Sequence, residues 1–376
     1  MLSRKGSGAC RILYIVGQLS CGGLERQLCY LLKAMDRERY RPGVVVWRDH
    51  GTDGYVSDLR SLGLPLYFLG RDWSPISKII ALRRIIRSVR PEVVHSFSFY
   101  TNYAAHLASF CAKTLAIGSL RSDIRVDMRR VGTALGLLSA RWPPDQVSNN
   151  ISTAEYVRNS CSAFIPKRVH IVRNAVDLAT FRDSGRTNHR ETNIVGVGSL
   201  LPVKRWDRVI EAAKELKSQG YQFQVRIAGE GPLRNSLQHH AGVLEVSDQV
   251  MFVGHVSDIP KFISDGSFVI HTSDTEGCPN AVMESMACGR AVIATRAGDV
   301  RYLVDDEQTG FIVERDDHRS LVNRMATLIN GPELCFTMGR KARSKAEREF
   351  GMNRFVEDML AAYRASGWKD EPYLIN

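Results

Sequence analysis

Glu276 and Glu284 stand eight positions apart in the run Ser273-Asp274-Thr275-Glu276-Gly277-Cys278-Pro279-Asn280-Ala281-Val282-Met283-Glu284-Ser285-Met286-Ala287-Cys288-Gly289. The apolar run Phe268-Val269-Ile270-His271 before it reads as a short buried strand, and Asn280 to Cys288 as a helix stopped by Gly289. Glu276 then falls in the connecting loop, and Glu284 about one turn into the helix. Two carboxylates so placed can accept two sets of hydroxyl donors a few ångströms apart, as the sugar and the ribose of a nucleotide-sugar present them. Gly277, Cys278, Pro279 and Asn280 give the loop its shape, and its free backbone amides can face phosphate. Taken alone, each glutamate has a plainer reading, Glu276 as a helix-capping acid and Glu284 as an exposed helix charge.

Other motifs accompany this pair. Val197-Gly198-Ser199-Leu200 is followed by Lys204; Ile227-Ala228-Gly229-Glu230-Gly231-Pro232 and Phe252-Val253-Gly254 come next; Gly22-Gly23-Leu24-Glu25 follows the first apolar run, and Val172-Arg173-Asn174-Ala175-Val176-Asp177 lies between the halves. With Glu-x7-Glu inside Glu-Gly-x-Pro-Asn and Met-Ala-x-Gly after it, these motifs in this order resemble the retaining nucleotide-sugar glycosyltransferases of family 4, also called group 1, over nearly the whole chain. The resemblance implies the GT-B fold, two Rossmann-like doubly wound parallel-sheet α/β domains facing a central cleft. It implies that Glu276 holds donor-sugar hydroxyls and places the anomeric carbon, and that Glu284 binds ribose. It implies transfer of a hexose or hexose derivative from a UDP- or GDP-sugar to a glycan or a polyprenyl- or other lipid-linked acceptor, in bacterial-type cell-surface polysaccharide or glycolipid synthesis. Retention in this family is usually explained by front-face attack with the leaving phosphate as base, so no enzymic nucleophile is required.

A departing diphosphate needs positive charge while an oxocarbenium-like centre forms. Lys204 is the candidate, since it follows the Gly198-Ser199-Leu200 turn and precedes a helix whose N-terminus points the same way. Ser199 stands where the commonest family pattern has arginine; Arg205 can substitute, or it can be an ordinary solvated helix residue. Gly229, in the next strand-turn, and Val256, where the base is often selected, complete the donor set. Gly22 and Gly23 permit close approach of backbone to phosphate, or form a plain tight turn. His95 ends a predicted strand where the family often carries an acceptor-cleft histidine, and a satisfied structural histidine fits the position equally well. The family's second common histidine is replaced by Gly118-Ser119-Leu120-Arg121. Arg121, Arg125 and Arg129 would share one face if that stretch is helical, as an acceptor-phosphate or membrane-surface contact or as an idle face. Arg83, Arg84, Arg87 and Arg90 read as the coat of an outer helix. No Asp-x-Asp sits where a metal-diphosphate clamp would need it, and no His/Cys/Asp cluster has ligand spacing, so transfer is expected to need neither metal nor cofactor.

These residues need a scaffold. Apolar runs at 12–16, 43–47, 65–69, 93–95 and 115–119 alternate with helical stretches, which predicts a doubly wound half. The pattern restarts with strands at 194–197, 224–228, 250–253, 268–271, 291–294 and 310–313. The expected organisation is a first domain over 1–174, a polar linker over 175–192 and a second domain over 193–351. Apolar residues at Phe355, Met359, Leu360 and Tyr363 mark a terminal helix over about 352–376 that returns to the first domain, with Trp368 and Tyr373 as anchors. Ligands of such sheets bind at the carboxyl ends of the strands.

The 376 residues, 44% hydrophobic and 24% charged, suit two globular domains. No apolar run approaches the ~18 residues of a membrane span, and Ile12 to Val16 after Arg4-Lys5 reads as a first strand rather than a signal peptide. Eight cysteines without regular spacing point to a reducing cytoplasm; Cys278 and Cys288 read as packing residues. Residues 1–185 hold 27 Lys and Arg against 14 Asp and Glu, whereas the rest hold 24 against 26. The basic half is a footprint for phosphate, an anionic membrane surface or a lipid-phosphate acceptor, or else a plain solvated surface. No nucleic-acid recognition motif accompanies it, and Gly17 to Gly23 lacks the Gly-x-Gly-x-x-Gly of a dinucleotide oxidoreductase. The competing readings are a catalytically silent sugar- or nucleotide-binding subunit, in view of Ser199, and a nucleotide-sugar epimerase, which needs different cleft acids and histidines.

Overall fold

Each predicted apolar run becomes a parallel strand; Ile12–Val16, Pro42–Val46, Val93–Ser96, Phe268–His271 and Ala291–Thr295 are buried throughout, as a sheet covered by helices requires, while the edge strand Leu66–Phe68 is half-buried along its length and the edge strand Val250–Gly254 exposes Met251. The computed structural model describes residues 10–370 apart from 21, 49–53, 123, 184 and 186–191. The chain divides into two units, one running to Ala175 and resuming at Met352, the other spanning Val176–Gly351.

The first unit is built on seven parallel strands: β1 (Ile12–Val16), β2 (Pro42–Val46), β3 (Leu66–Phe68), β4 (Val93–Ser96), β5 (Leu115–Leu120), β6 (Asp145–Ser148) and β7 (Arg168–Ile171). Their order is β3-β2-β1-β4-β5-β6-β7. Helices α1 (Gly23–Ala34), α2 (Arg37–Tyr40), α3 (Val56–Ser61), α4 (Pro75–Val89), α5 (Asn102–Ser109), α6 (Ile124–Val131), α7 (Thr133–Arg141) and α8 (Ile151–Asn159) connect them. The second unit has six strands, β8 (Thr192–Val197), β9 (Phe223–Ala228), β10 (Val250–Gly254), β11 (Phe268–His271), β12 (Ala291–Thr295) and β13 (Gly310–Val313), in the order β10-β9-β8-β11-β12-β13. Its helices are α9 (Trp206–Ser218), α10 (Arg234–Val243), α11 (Ile259–Ser264), α12 (Asn280–Ala287), α13 (Val300–Leu303), α14 (His318–Asn330) and α15 (Pro332–Glu349).

The sequence reading found neither β6 nor β7. Asp145-Gln146-Val147-Ser148 and Arg168-Val169-His170-Ile171 lack an apolar run, so their strand character rests on satisfied polar groups. The Gln146 amide donates to the carbonyls of Ser139, Ala140 and Pro143 at 3.0–3.1 Å, and Arg168 clasps Asp145 across the pair at 2.7 and 3.0 Å. In the stretch read as a linker, Val176 and Phe181 are buried in the second unit's core and Thr192 opens β8.

The last helix, α16 (Met352–Ala365), belongs to the first unit and packs on α1. Its buried stripe of Phe355, Val356, Met359, Leu360 and Tyr363 joins the core that holds Ile12, Leu28 and Leu31. Each such large side chain contributes about 1.5–3 kcal/mol on burial. The Tyr363 hydroxyl lies 2.7 Å from His95 Nδ1 and donates to the Tyr14 hydroxyl at 3.2 Å. The buried Trp368 donates from Nε1 to Glu92 at 2.6 Å, while Tyr373 lies outside the described residues. Among the described residues no helix is long and apolar enough to cross a membrane.

Candidate functional site

In the second sheet the chain winds outward from two adjacent strands, from β8 through β9 to β10 on one side and from β11 through β12 to β13 on the other. The loops leaving the carboxyl ends of β8 and β11 therefore diverge and leave a crevice, the switch point at which open α/β sheets bind ligands. The rims of this crevice are tied together. Thr272 Oγ1 donates to the carbonyls of Lys204 and Arg205, each at 3.0 Å, and the Asp274 amide donates to the Val203 carbonyl at 2.9 Å.

This stitching brings Lys204 to Glu276. The Lys204 ammonium donates to Glu276 Oε1 at 2.6 Å, and His271 Nε2, from the last residue of β11, lies 3.2 Å from the same oxygen. Burial alone would push the Glu276 carboxyl up, but the His271 imidazole and the Lys204 charge together hold it well below the usual carboxylate range. The carboxylate is thus ionised and fixed at the mouth of the loop.

Glycines let this loop take its path. Gly298 has φ 52°, and a Cβ there would stand 2.2 Å from the Glu276 carbonyl oxygen and 2.5 Å from that of Gly277. The Asp299 amide donates to the Gly277 carbonyl at 2.9 Å, so the turn after β12 backs the loop after β11. On the other rim, a Cβ on Gly229 would approach the Gly198 carbonyl oxygen to 1.9 Å, at φ 150°. Pro279 immediately precedes α12, and Asn280 is its first residue. Glu284 is buried on the same helix, where an idle surface charge would be exposed. Cys278 is buried, and burial pushes the Cys288 thiol up to about 11, away from reactivity. Val256 packs half-buried against the core that includes α12.

The cation beside Lys204 is already engaged. Arg205, in left-handed backbone at φ 52°, contacts Asp207 at 2.8 Å and Asp274 at 3.2 Å. Arg208 holds Asp274 from its other side at 2.7 Å. Ser199 presents its carbonyl to Trp206 Nε1 at 3.1 Å. Sequence reasoning missed His271 and Asp274 as site residues. The signal for His271 was a polar residue ending an otherwise apolar strand directly before the loop.

In the first unit the corresponding switch point lies between β1 and β4. Gly22 precedes α1 and Gly23 is its first residue; a Cβ on Gly22 would meet Glu25 Oε2 at 2.1 Å, so the Glu25 carboxyl folds back under the turn, pushed up by burial. His95 is fully buried, with Nδ1 on Tyr363 and Nε2 2.9 Å from Ser119 Oγ, and burial followed by the nearby Arg121 charge holds its pKa well down. Both ring nitrogens are thereby occupied within the fold. Arg121 lies in the turn after β5, and α6 begins only at Ile124, so the expected Arg121–Arg125–Arg129 helix face does not form; the Arg121 guanidinium lies over the Phe97 ring, 4.0 Å from its centroid. Among the described residues no group of three or more His, Cys, Asp or Glu is placed to hold a metal ion.

Comparison with known proteins supplies the family context. The family model described as Glycosyl transferases group 1 matches residues 178–345, and that described as Glycosyltransferase Family 4 matches residues 21–180. The putative glycosyltransferase EpsD of Bacillus subtilis is 33% identical over 162 residues, 43% of this chain and 42% of that protein. A Campylobacter jejuni relative, named N-acetylgalactosamine-N,N'-diacetylbacillosaminyl-diphospho-undecaprenol 4-alpha-N-acetylgalactosaminyltransferase, is 28% identical over 198 residues, 52% of this chain and 53% of that one. The chain spans about half the length of the curated relatives it matches. The fold is that of Anabaena Alr3699/HepE, solved in complex with UDP, at TM-score 0.80 and 17% identity, covering 94% of this chain and 100% of that one.

Proposed function

The chain belongs to the group 1 glycosyltransferases of GT-B fold, and on that premise we propose that it moves a hexose or hexose derivative from a UDP- or GDP-sugar to a glycan or lipid-linked acceptor. The proposal extends to retention of anomeric configuration, to metal-free transfer, and to work at the cytoplasmic face of the membrane in cell-surface polysaccharide or glycolipid synthesis. The observation that carries it is the Lys204–Glu276–His271 cluster at the switch point of the second sheet.

In this reading His271 pins one oxygen of Glu276 and leaves the other to accept hydroxyls of the donor sugar. Lys204 sits where its ammonium can swing from Glu276 to the diphosphate as negative charge develops on the leaving group. Glu284 takes the ribose hydroxyls, and the backbone amides at the start of α12 point toward phosphate. Ser199, Gly229 and Val256 shape the donor's surroundings in the second unit; in the first unit Gly22 and Gly23 offer backbone to phosphate, Arg121 serves an anionic acceptor, and His95 acts behind it as a positioning residue. The UDP in the Alr3699/HepE complex supports the donor class, and the Campylobacter relative's named substrate supports a lipid-linked acceptor.

Thermal stabilisation by a panel of UDP-, GDP-, ADP- and TDP-sugars, with EDTA present throughout, tests the donor site. One nucleotide-sugar at ~100 Kd adds about 2.7 kcal/mol to wild type and little to Glu284→Ala. Indifference to the whole panel would sink the assignment. A second reading, a silent nucleotide-sugar-binding subunit, draws on Arg205, whose charge Asp207 and Asp274 take up where a second diphosphate cation is wanted. It predicts stabilisation without transfer to any acceptor.

A further inference from the structure

Helix α4 (Pro-Ile-Ser-Lys-Ile-Ile-Ala-Leu-Arg-Arg-Ile-Ile-Arg-Ser-Val) carries no acidic residue and is apolar on both faces along its first half. Leu82 and Ile86 enter the core under β1 and β4. The opposite face leaves Ile76 71% and Ile80 48% exposed, with Trp73, just before the helix, 50% exposed. A helix apolar all round is normally covered on all sides. Further along, the same outer face turns to arginine: Arg83, Arg84 and Arg87 lie within the stripe that holds Ile76 and Ile80 at helical spacing.

The neighbouring α5 continues the pattern. Arg83 Nη1 donates to the Leu107 carbonyl at 3.5 Å, and Phe110 at the end of α5 is 64% exposed, followed by the exposed Lys113. The surface is thus an aromatic and aliphatic strip edged by cations. Side chains of these types settle at the boundary between lipid headgroups and acyl chains, where Trp and Ile enter the apolar layer and Arg meets phosphate. A second copy of the chain docked on this face would set the same cations against each other.

We propose that the outer face of α4, with the end of α5, docks on an anionic lipid surface: Trp73, Ile76 and Ile80 enter the interface, and Arg84, Arg87 and Lys113 bind headgroup phosphates. This deepens the membrane side of the proposed function and rests on that reading, yet it is measured without donor or sugar transfer. A failed donor site would leave it standing, and its own failure would leave the donor site untouched.

The test is co-sedimentation of the whole chain with vesicles of phosphatidylcholine alone, or with about one-third phosphatidylglycerol. Binding is expected to the anionic vesicles only, and to weaken as added salt shortens the screening length from about 10 Å to about 3 Å. Arg84→Gln/Arg87→Gln should lower partitioning about thirtyfold, about fivefold for each cation lost. Trp73→Ser/Ile76→Ser should lower it too, with circular dichroism and melting unchanged because these side chains are exposed. Arg340→Gln/Lys341→Gln on α15 should bind as wild type. Equal binding to neutral vesicles, indifference to both α4 variants, or an equal loss in the α15 control overturns the proposal. So does the appearance of a dimer by light scattering that Trp73→Ser/Ile76→Ser dissociates while vesicle binding persists.

Discussion

Glu276 has a neighbourhood that keeps it charged. Its pKa is depressed in the folded state, so its contribution to stability is fully present above the ordinary carboxylate value and is lost progressively as pH falls from there through the lower, folded one. Donor-induced stabilisation should therefore show no acid limb from this group between about pH 8 and 5. Glu276→Gln keeps the shape of the side chain but removes the charge that orders Lys204 and His271. Steady-state transfer with the donor identified by stabilisation should then fall about 10²–10³-fold, while the bare nucleoside diphosphate still raises the melting temperature. A variant that retains full turnover would remove Glu276 from the chemistry. The spacing of Glu276 and Glu284 and the position of Lys204 were legible in the sequence because each sits in a run whose flanking residues also have a job. His271 was not, since a lone histidine at a strand end looks the same whether it meets a carboxylate or solvent.

At the scale of elements, the strands legible in the sequence were those with an unbroken apolar run, which burial on both faces demands of β1, β2, β11 and β12 and which the half-buried β3 also carries. The strands β6 and β7 escaped for different reasons: β6 is buried with its polar side chains satisfied, Gln146 by the Ser139 carbonyl and Asp145 by Arg168, while β7 lies at the sheet edge and is only partly buried, so neither carries an unbroken apolar run. The shared face of Arg121, Arg125 and Arg129 depended on residues 121–129 being helical throughout, and α6 takes in only the last two arginines. The loop geometry yields a paired prediction. Gly298→Ala adds a clash with the carbonyls of Glu276 and Gly277 to an unfavourable φ, whereas Gly63→Ala, at φ 73° with open space around it, adds the φ alone. Urea unfolding should place Gly63→Ala about 1 kcal/mol below wild type, and Gly298→Ala lower by about 1–3 kcal/mol more, with donor stabilisation lost only in the latter. His95 joins β4, β5 and α16 through its two ring nitrogens and stays neutral in the fold. The unfolded chain protonates below the ordinary histidine value while the folded one does not, so His95 costs stability as pH drops from there. Wild type should lose about 1.4 kcal/mol per pH unit from this source, and His95→Asn should lack that slope in denaturant titrations run between neutral and mildly acid pH.

At the scale of the whole molecule, the first unit is discontinuous: its core between α1 and β1 is closed by α16, which follows the entire second unit in the chain. The second unit is continuous, and the Val176 amide bonds the Phe350 carbonyl at 2.8 Å where the segment enters and leaves. A fragment of residues 176–351 should therefore melt cooperatively on its own. A fragment ending at Ala175 should not, because Tyr14, His95 and Leu28 lose the side chains that cover them. A cooperative calorimetric transition in the shorter fragment would show that α16 is dispensable.

That discontinuity also sets an order of events on the ribosome. Between the synthesis of Ala175 and of Met352 lie 176 residues, which at about 5–20 residues per second take about 10–35 s. Throughout that interval the nascent first unit holds an uncovered apolar groove while the second unit completes itself. The half made first is the half finished last, and chaperones that bind exposed apolar chain should be found on it until translation reaches Tyr363.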